Sequence, residues 1–312
     1  MNILIIKLGA TGDVVRTTPL LKRLAGQITW ITAAKNAELL RGLAEDLNCL
    51  TWEERASVHG QMYDLAINLE DDLETAQLLR TVRFRQLFGA YADSDNRLRY
   101  TNDATAWFDL SLISVYGKEK ADYLKLQNRQ TYQELVFRGL GMAFEGDRYL
   151  LPKAVKTGLV GDIAISSAAG PVWPMKNWAY YDQLKEELEA RGFVVNFLPK
   201  RNSLLEHLAD VQGHRCLVSG DSLPMHFALG SFVRCVSLFT CTSPWEIFGY
   251  GVQTKIESPL LGDFFYQRGF DPRATQAIDL EEVYEATIRE CLASSTDTGG
   301  ARLPANVESL QV

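Results

Sequence analysis

Long apolar runs are missing from this sequence of 312 residues. None approaches the roughly 18 residues that a membrane-spanning helix requires. A signal peptide is not expected either, because Lys7 interrupts the first apolar run after a few residues. Cysteine is scarce: Cys49, Cys216, Cys235, Cys241 and Cys291 are scattered, odd in number and without C-x-x-C spacing. They read as reduced thiols of a cytoplasmic protein and argue against a zinc site. His59, His207 and His214 have no partners at metal-ligand spacing. Positive charge is short as well, and a net charge of −7 argues against nucleic-acid binding. A complete G-x-G-x-x-G is absent, which makes a nicotinamide enzyme a poor reading.

What remains is the composition of a soluble globular chain, 46% hydrophobic and 23% charged, long enough for two domains. Its organising stretch lies near the start. Met1-Asn2-Ile3-Leu4-Ile5-Ile6 reads as a strand buried on both faces at the centre of a parallel sheet. Lys7-Leu8-Gly9-Ala10-Thr11-Gly12-Asp13-Val14-Val15-Arg16 then turns the chain into a helix, with Val14, Val15, Leu20, Leu21 and Leu24 at helical spacing. Gly9 and Gly12 are expected to permit a tight bend and close approach of another group. Asp13 falls beyond the carboxyl end of the strand, where open α/β sheets bind ligands. The plainer alternative is an Asp that caps the helix.

Strands and helices alternate from there. Residues 28–32, 65–69 and 85–91 read as strands, and residues 37–44, 74–81, 104–116 and 132–140 as helices. Residues 141–161 carry glycines and a proline without sustained periodicity and read as a linker. The pattern then restarts. Strands are expected at 163–167, 193–198, 216–219 and 235–239, and helices at 204–211, 222–229 and 281–292. Another helix, capped by Asn177, is expected to carry Tyr181, Leu184 and Leu188 on one face. Ser219-Gly220-Asp221-Ser222-Leu223-Pro224-Met225-His226 repeats the opening logic of strand, turn and helix. Free amides at that helix start suit a diphosphate, although a capped helix with Pro224 in its first turn explains the same residues. The fold class is therefore α/β with two Rossmann-like domains, residues 1–150 and 151–293. Residues 294–312, which lack aromatics, are expected to be a disordered tail.

Charge is uneven. Residues 1–155 hold 19 basic against 20 acidic side chains, residues 156–312 hold 13 against 19, and Arg80, Arg83, Arg85, Arg97 and Arg99 crowd a short interval. Such a cluster suits an anionic substrate, or is simply a solvated face. Asp93-Ser94-Asp95 is literally a D-x-D and reads as chance among these arginines. Glu70-Asp71-Asp72, at the end of an expected strand, suits either acceptor contact or helix capping.

Residues 7–21, 63–72, 170–178, 220–226 and 243–251 together resemble glycosyltransferase family nine, the bacterial ADP-heptose:lipopolysaccharide heptosyltransferases. The resemblance implies the GT-B arrangement, two Rossmann-like domains with a cleft between them. It also implies inverting transfer of heptose from ADP-heptose to a glycan hydroxyl such as the lipopolysaccharide inner core, without metal or other cofactor. On that basis Asp13 is the general base, and Thr11, Gly12, Ser167, Lys176, Asp221, Ser222, Leu223 and His226 serve the donor. Arg16, Arg83, Arg85 and Arg97 are candidates for the acceptor, which is a glycan, glycolipid or protein. The expected location is the cytoplasm, in peripheral contact with the inner face of the inner membrane. The sequence departs from the family at Leu223, where glycine is usual, and at Thr240-Cys241, where Gly-Pro is usual. It also has a short interval between Leu198 and Leu204, where a ribose-binding glutamate is usual, and lacks the family's cysteines in 258–271. These departures motivate an alternative, a nucleotide-sugar-binding protein without transfer activity.

Overall fold

The computed structural model describes residues 1–111, 116–168 and 170–297. The chain divides into two compact units, Met1–Pro152 with Trp245–Phe248, and Lys153–Pro244 with the residues from Gly249 onward. The first unit thus takes four residues from late in the chain that a boundary at 150 does not anticipate. Their side chains account for this: Phe248 packs edge-on against Phe144 at 5.1 Å, and the Arg129 guanidinium lies 3.7 Å above the Trp245 ring.

In the first unit, β1 (Asn2–Ile6), β2 (Gln27–Thr32), β3 (Leu47–Thr51), β4 (Met62–Asn68), β5 (Arg83–Ala92) and β6 (Leu98–Tyr100) form one sheet in the order β3-β2-β1-β4-β5-β6. All pairings are parallel except β5 with β6. Ile3 through Ile6 are fully buried, as an apolar run at a sheet centre must be. The strand's alternation sends Ile3 and Ile5 into a core with Trp30, Val14, Ile67 and Phe88, and Leu4 and Ile6 into another with Ile31, Tyr63 and Leu79. Strand order reverses between β1 and β4, which opens a crevice at their carboxyl ends.

The second unit holds β7 (Gly161–Ser166), β8 (Val195–Phe197), β9 (His214–Gly220), β10 (Arg234–Phe239) and β11 (Gln253–Glu257), all parallel, in the order β11-β10-β9-β7-β8. Here the reversal lies between β7 and β9. The helix Leu280–Asp297 closes one face with Val283 and Ala286 in the core. It runs past residue 292, into the stretch expected as tail, of which residues 298–312 lie outside the described residues.

Several elements differ from expectation. The helix expected from Asn177 begins at Tyr181, after a 3₁₀ turn at Pro174–Lys176. Tertiary bonds hold the intervening residues out of helix: the Ala179 amide donates to Thr275 O at 2.9 Å, and the buried Trp178 indole donates to Ile278 O at 2.9 Å. The edge strands β3 and β11 and the helix Lys118–Gln127 were not foreseen. Each is short or polar enough to lack a clean period.

Glycine is required by the backbone at Gly89, where φ is +111° and a Cβ would fall 1.9 Å from the Asn68 carbonyl oxygen. Gly9 differs, since its φ is ordinary and a Cβ there meets nothing within 4 Å. Gly89→Ala should therefore cost about 2 kcal/mol or more in chemical unfolding, through strain and displacement of β4 from β5. Gly9→Ala should leave the unfolding midpoint within the scatter of wild type. Equal stability for both variants would contradict this account of the β4–β5 pairing.

Candidate functional site

The crevice of the first unit is built on a buried lysine. Lys7 follows β1 and is 5% exposed, a costly position for an ammonium unless it is paired. Its partner comes from beyond β4: Glu70 Oε1 lies 2.9 Å from Lys7 Nζ. The same carboxylate accepts the Leu8 and Gly9 amides at 2.6 and 3.2 Å, so Glu70 shapes the loop as well as neutralising the lysine. Asn68 fixes Glu70 in turn, accepting its amide at 3.2 Å and donating to Ala90 O at 3.0 Å. From β2's side, buried Asn36 donates to Leu8 O and accepts from Thr11 Oγ1, both at 2.7 Å. The loop is thus tied to three strands before the helix Thr11–Thr17 starts.

Asp13 is not the cap of that helix. The N-cap is Ala10, and Asp13 is the third helical residue. Its carboxylate lies 3.8 Å from Lys7 Nζ and 3.1 Å from Arg16 Nε, with about a third of its side chain open to solvent. Burial alone would pull the Lys7 pKa down, but Asp13 and Glu70 outweigh it and hold the ammonium at about 12, against an ordinary 10.5. Burial opposes the charge of Arg16 too, and Asp13 and Glu246 again more than offset it. Tyr132, whose ring lies 4.1 Å from the Arg16 guanidinium carbon, has its phenol pushed up to about 12 by burial. An acidic group with one open face, set between two fixed cations, is equipped to receive a substrate hydroxyl.

The second unit repeats the arrangement at its own reversal. Lys176, from the loop after β7, reaches across to the loop after β9. There its Nζ donates to Asp221 Oδ2 and to Asp221 O, both at 2.8 Å. Gly220 sits tightly under this contact, since a Cβ would lie 3.1 Å from Lys176 O. Ser222 precedes the helix Leu223–Ser231 as its N-cap, with no side-chain bond to the helix amides, and its hydroxyl pairs with Ser219 Oγ at 2.9 Å. His226 is buried in the first turn. Helix amides and a lysine side chain at one strand end form a setting for an anion.

The structure brings together Asp13, Thr11, Gly12 and Arg16 in the first unit, and Lys176, Asp221, Ser222, Leu223 and His226 in the second. Ser167 lies exposed just past β7. The arginine cluster is brought together only in part: Arg80 donates to Asp93 O and to Asn96 Oδ1, beside Arg99, which pairs with Asp93 at 3.0 Å. Arg83 and Arg85 stand at the start of the ten-residue β5, where Arg83 donates to Gly60 O at 3.0 Å and Arg85 pairs with Asp64 at 3.2 Å. Arg97 lies past the strand's other end, 3.9 Å from Asp95. An extended strand separates residues that are neighbours in sequence. Asp93 accepts from the Asp95 and Arg97 amides, so Asp93-Ser94-Asp95 forms a turn. Among the described residues, no group of three or more His, Cys, Asp or Glu could hold a metal ion. Asp72 caps the helix Leu73–Leu78 through the Thr75 amide, whereas Glu70 turns inward to Lys7.

Lys7, Asn36 and Glu246 were missed as site residues, and Glu70, weighed for acceptor contact or capping, instead pairs with Lys7. An ionisable residue directly after a fully apolar central strand was the available signal for Lys7. Removing one partner of this pair should be far worse than removing both charges. Lys7→Met should cost about 3–5 kcal/mol, and combining it with Glu70→Gln should recover at least about 1 kcal/mol of coupling in a double-mutant cycle. Because the folded state keeps a proton that the unfolded chain releases, the Lys7 contribution is complete below pH 10.5 and is lost as pH rises to about 12. Additive single and double variants would contradict the pairing.

Neither a family model nor a curated protein matches this sequence. Solved structures do. A glycosyl transferase family 9 protein from Veillonella parvula has a TM-score of 0.63 at 16% identity, covering 94% of this chain and 97% of its own. The E. coli heptosyltransferase WaaC, solved with ADP, has a TM-score of 0.61 at 14% identity, covering 93% and 100%. The E. coli ADP-heptose lps heptosyltransferase II has a TM-score of 0.59 at 16% identity, covering 95% and 100%. The α/β fold of this chain, with its two doubly wound and largely parallel sheets, is that of heptosyltransferase and family 9 glycosyltransferase structures.

Proposed function

We propose that this chain is an inverting glycosyltransferase that moves heptose from ADP-heptose to a hydroxyl of a glycan acceptor such as the lipopolysaccharide inner core. The observation that carries the reading is the chemistry at the two strand-order reversals. The first presents a carboxylate held between cations, and the second presents a lysine and uncapped helix amides, on a fold shared with heptosyltransferases. Solved neighbours with that fold include WaaC with ADP and with ADP-2-deoxy-2-fluoro heptose. In the proposed step Asp13 takes the acceptor proton as the hydroxyl oxygen forms its bond to the anomeric carbon. The bond from that carbon to the diphosphate breaks on the opposite face, and ADP departs with the electron pair. Lys176 and the amides before His226 receive the added charge of the diphosphate, so no divalent metal is needed for neutralisation. Arg16 belongs to the carboxylate, leaving Arg83, Arg85 and Arg97 as separate candidates for an anionic acceptor.

No helix among the described residues is long and apolar enough to cross a membrane. Action in the cytoplasm, in peripheral contact with the inner membrane, is part of the proposal. A second reading, nucleotide-sugar binding without transfer, is favoured by two observations. Lys176 spends two of its donors on Asp221, and Leu223 places a side chain at the first helical position where the family resemblance leads one to expect glycine.

Asp13→Asn separates the two readings. Asn keeps the shape of Asp but takes no proton, and no cap is lost because Ala10 is the N-cap. The variant loses its charge pairing with Lys7 and Arg16 and should melt below wild type, but should still fold and bind ADP, while ADP-heptose turnover falls by a factor on the order of 10² or more. Wild-type turnover should persist in EDTA. Undiminished transfer by the variant would refute Asp13 as base, abolition by EDTA with rescue by magnesium would refute the metal-free step, and absence of any turnover in wild type would favour the binder.

A further inference from the structure

Arg16 serves two carboxylates. Its Nε lies 3.1 Å from Asp13, and its Nη2 lies 3.8 Å from Glu246 Oε2. Glu246 reaches this place from the segment Trp245–Phe248, which is pinned by the Trp245 and Phe248 ring contacts and by the Tyr132 amide, which donates to Glu246 O at 3.0 Å. Gln133 Nε2 donates to Arg16 O at 2.9 Å, and the Tyr132 ring lies against the guanidinium, so the arginine itself has little freedom. Glu246 is 7% exposed and has a second cation, Lys125, 3.9 Å from Oε1. The charged groups therefore form an unbroken series in which carboxylates and cations alternate: Glu70, Lys7, Asp13, Arg16, Glu246 and Lys125. Tyr132 and Tyr149 are the other titratable groups that face Arg16.

We infer that Glu246 is a positioning residue for Asp13, dividing the Arg16 guanidinium with it and thereby setting how firmly Arg16 holds the Asp13 carboxylate. This rests on the reading of Asp13 as general base. A carboxylate held by both Lys7 and an undivided Arg16 is a weaker proton acceptor than one whose arginine is partly engaged elsewhere. Glu246 draws Arg16 away from Asp13 without touching a substrate, and Lys125 moderates Glu246 in turn. The series predicts effects of alternating sign along its length, which a merely structural role for Glu246 would not produce.

The test follows the Asp13 carboxyl by carbon-13 NMR of aspartate-labelled protein, with its resonance assigned by its loss in Asp13→Asn. Glu246→Gln should lower the Asp13 titration midpoint by roughly half a pH unit or more, because Arg16 then serves Asp13 alone. Lys125→Met should raise it, because Glu246 then holds Arg16 more strongly. The acid limb of kcat/KM for ADP-heptose should move with the midpoint in each variant. Midpoints that stay at the wild-type value, or that move the same way in both variants, would overturn the inference. Should Glu246→Gln not fold, Lys125→Met decides alone, upward movement supporting the inference and no movement overturning it. The NMR midpoint is independent of turnover. Opposite movements together with undiminished transfer by Asp13→Asn would therefore uphold the role of Glu246 while removing Asp13 as base.

Discussion

A buried ammonium must find an anion, and that constraint shapes the first unit. Lys7 stands at the end of the most buried strand of its sheet, and Glu70 answers it from the neighbouring strand. Because the two strands are neighbours only through the reversal of strand order, the ion pair marks the crevice where a doubly wound sheet presents ligand-binding loops. Glu70 also accepts the amides that follow Lys7, so the position of the helix bearing Asp13 depends on the same carboxylate. Loss of Glu70 would leave the buried lysine with Asp13 alone, at 3.8 Å, and the loop without its acceptor.

The second unit meets the same topological problem with the same pair of residue types. Its lysine arrives from the far end of a loop, at Lys176, and its acid, Asp221, opens the segment that leads into the helix Leu223–Ser231. In both units a lysine from the loop after the first strand meets an acid from beyond the adjacent strand. The outcomes differ in exposure. The first unit leaves a carboxylate partly open beside cations, and the second leaves a lysine and helix amides at the strand end. In the transfer we propose, the first set serves proton removal and the second neutralisation of the leaving diphosphate.

Much of this was legible in the sequence. The apolar run before Lys7, the turn to the helix, and the repeat of that pattern at Ser219–His226 follow from local periodicity and spacing, and they located Asp13, Asp221 and His226 near strand ends, whereas Lys176 was singled out by the family resemblance alone. Local signals do not say which strands become neighbours. The answer of Glu70 to Lys7 and the tie of Asn36 to the loop both depend on pairings across the sheet. Glu246 is further from reach, since it joins the first unit through a four-residue segment whose flanking residues belong to the second. Arg83 and Arg85 part from Arg97 for the converse reason: they are close in sequence, but β5 is extended and carries them to opposite ends. Asn177 was misread as a cap because Trp178 packing, a tertiary effect, overrides the local preference.

The central claim is that the reversal between β7 and β9 holds the donor diphosphate, and amide hydrogen exchange with and without saturating ADP measures this residue by residue. The account predicts added protection in the loop that ends at Lys176 and in residues 220–226, with β8 and β11 unchanged. Saturation by ADP with protection located elsewhere, or no protection at any ADP concentration, would contradict it.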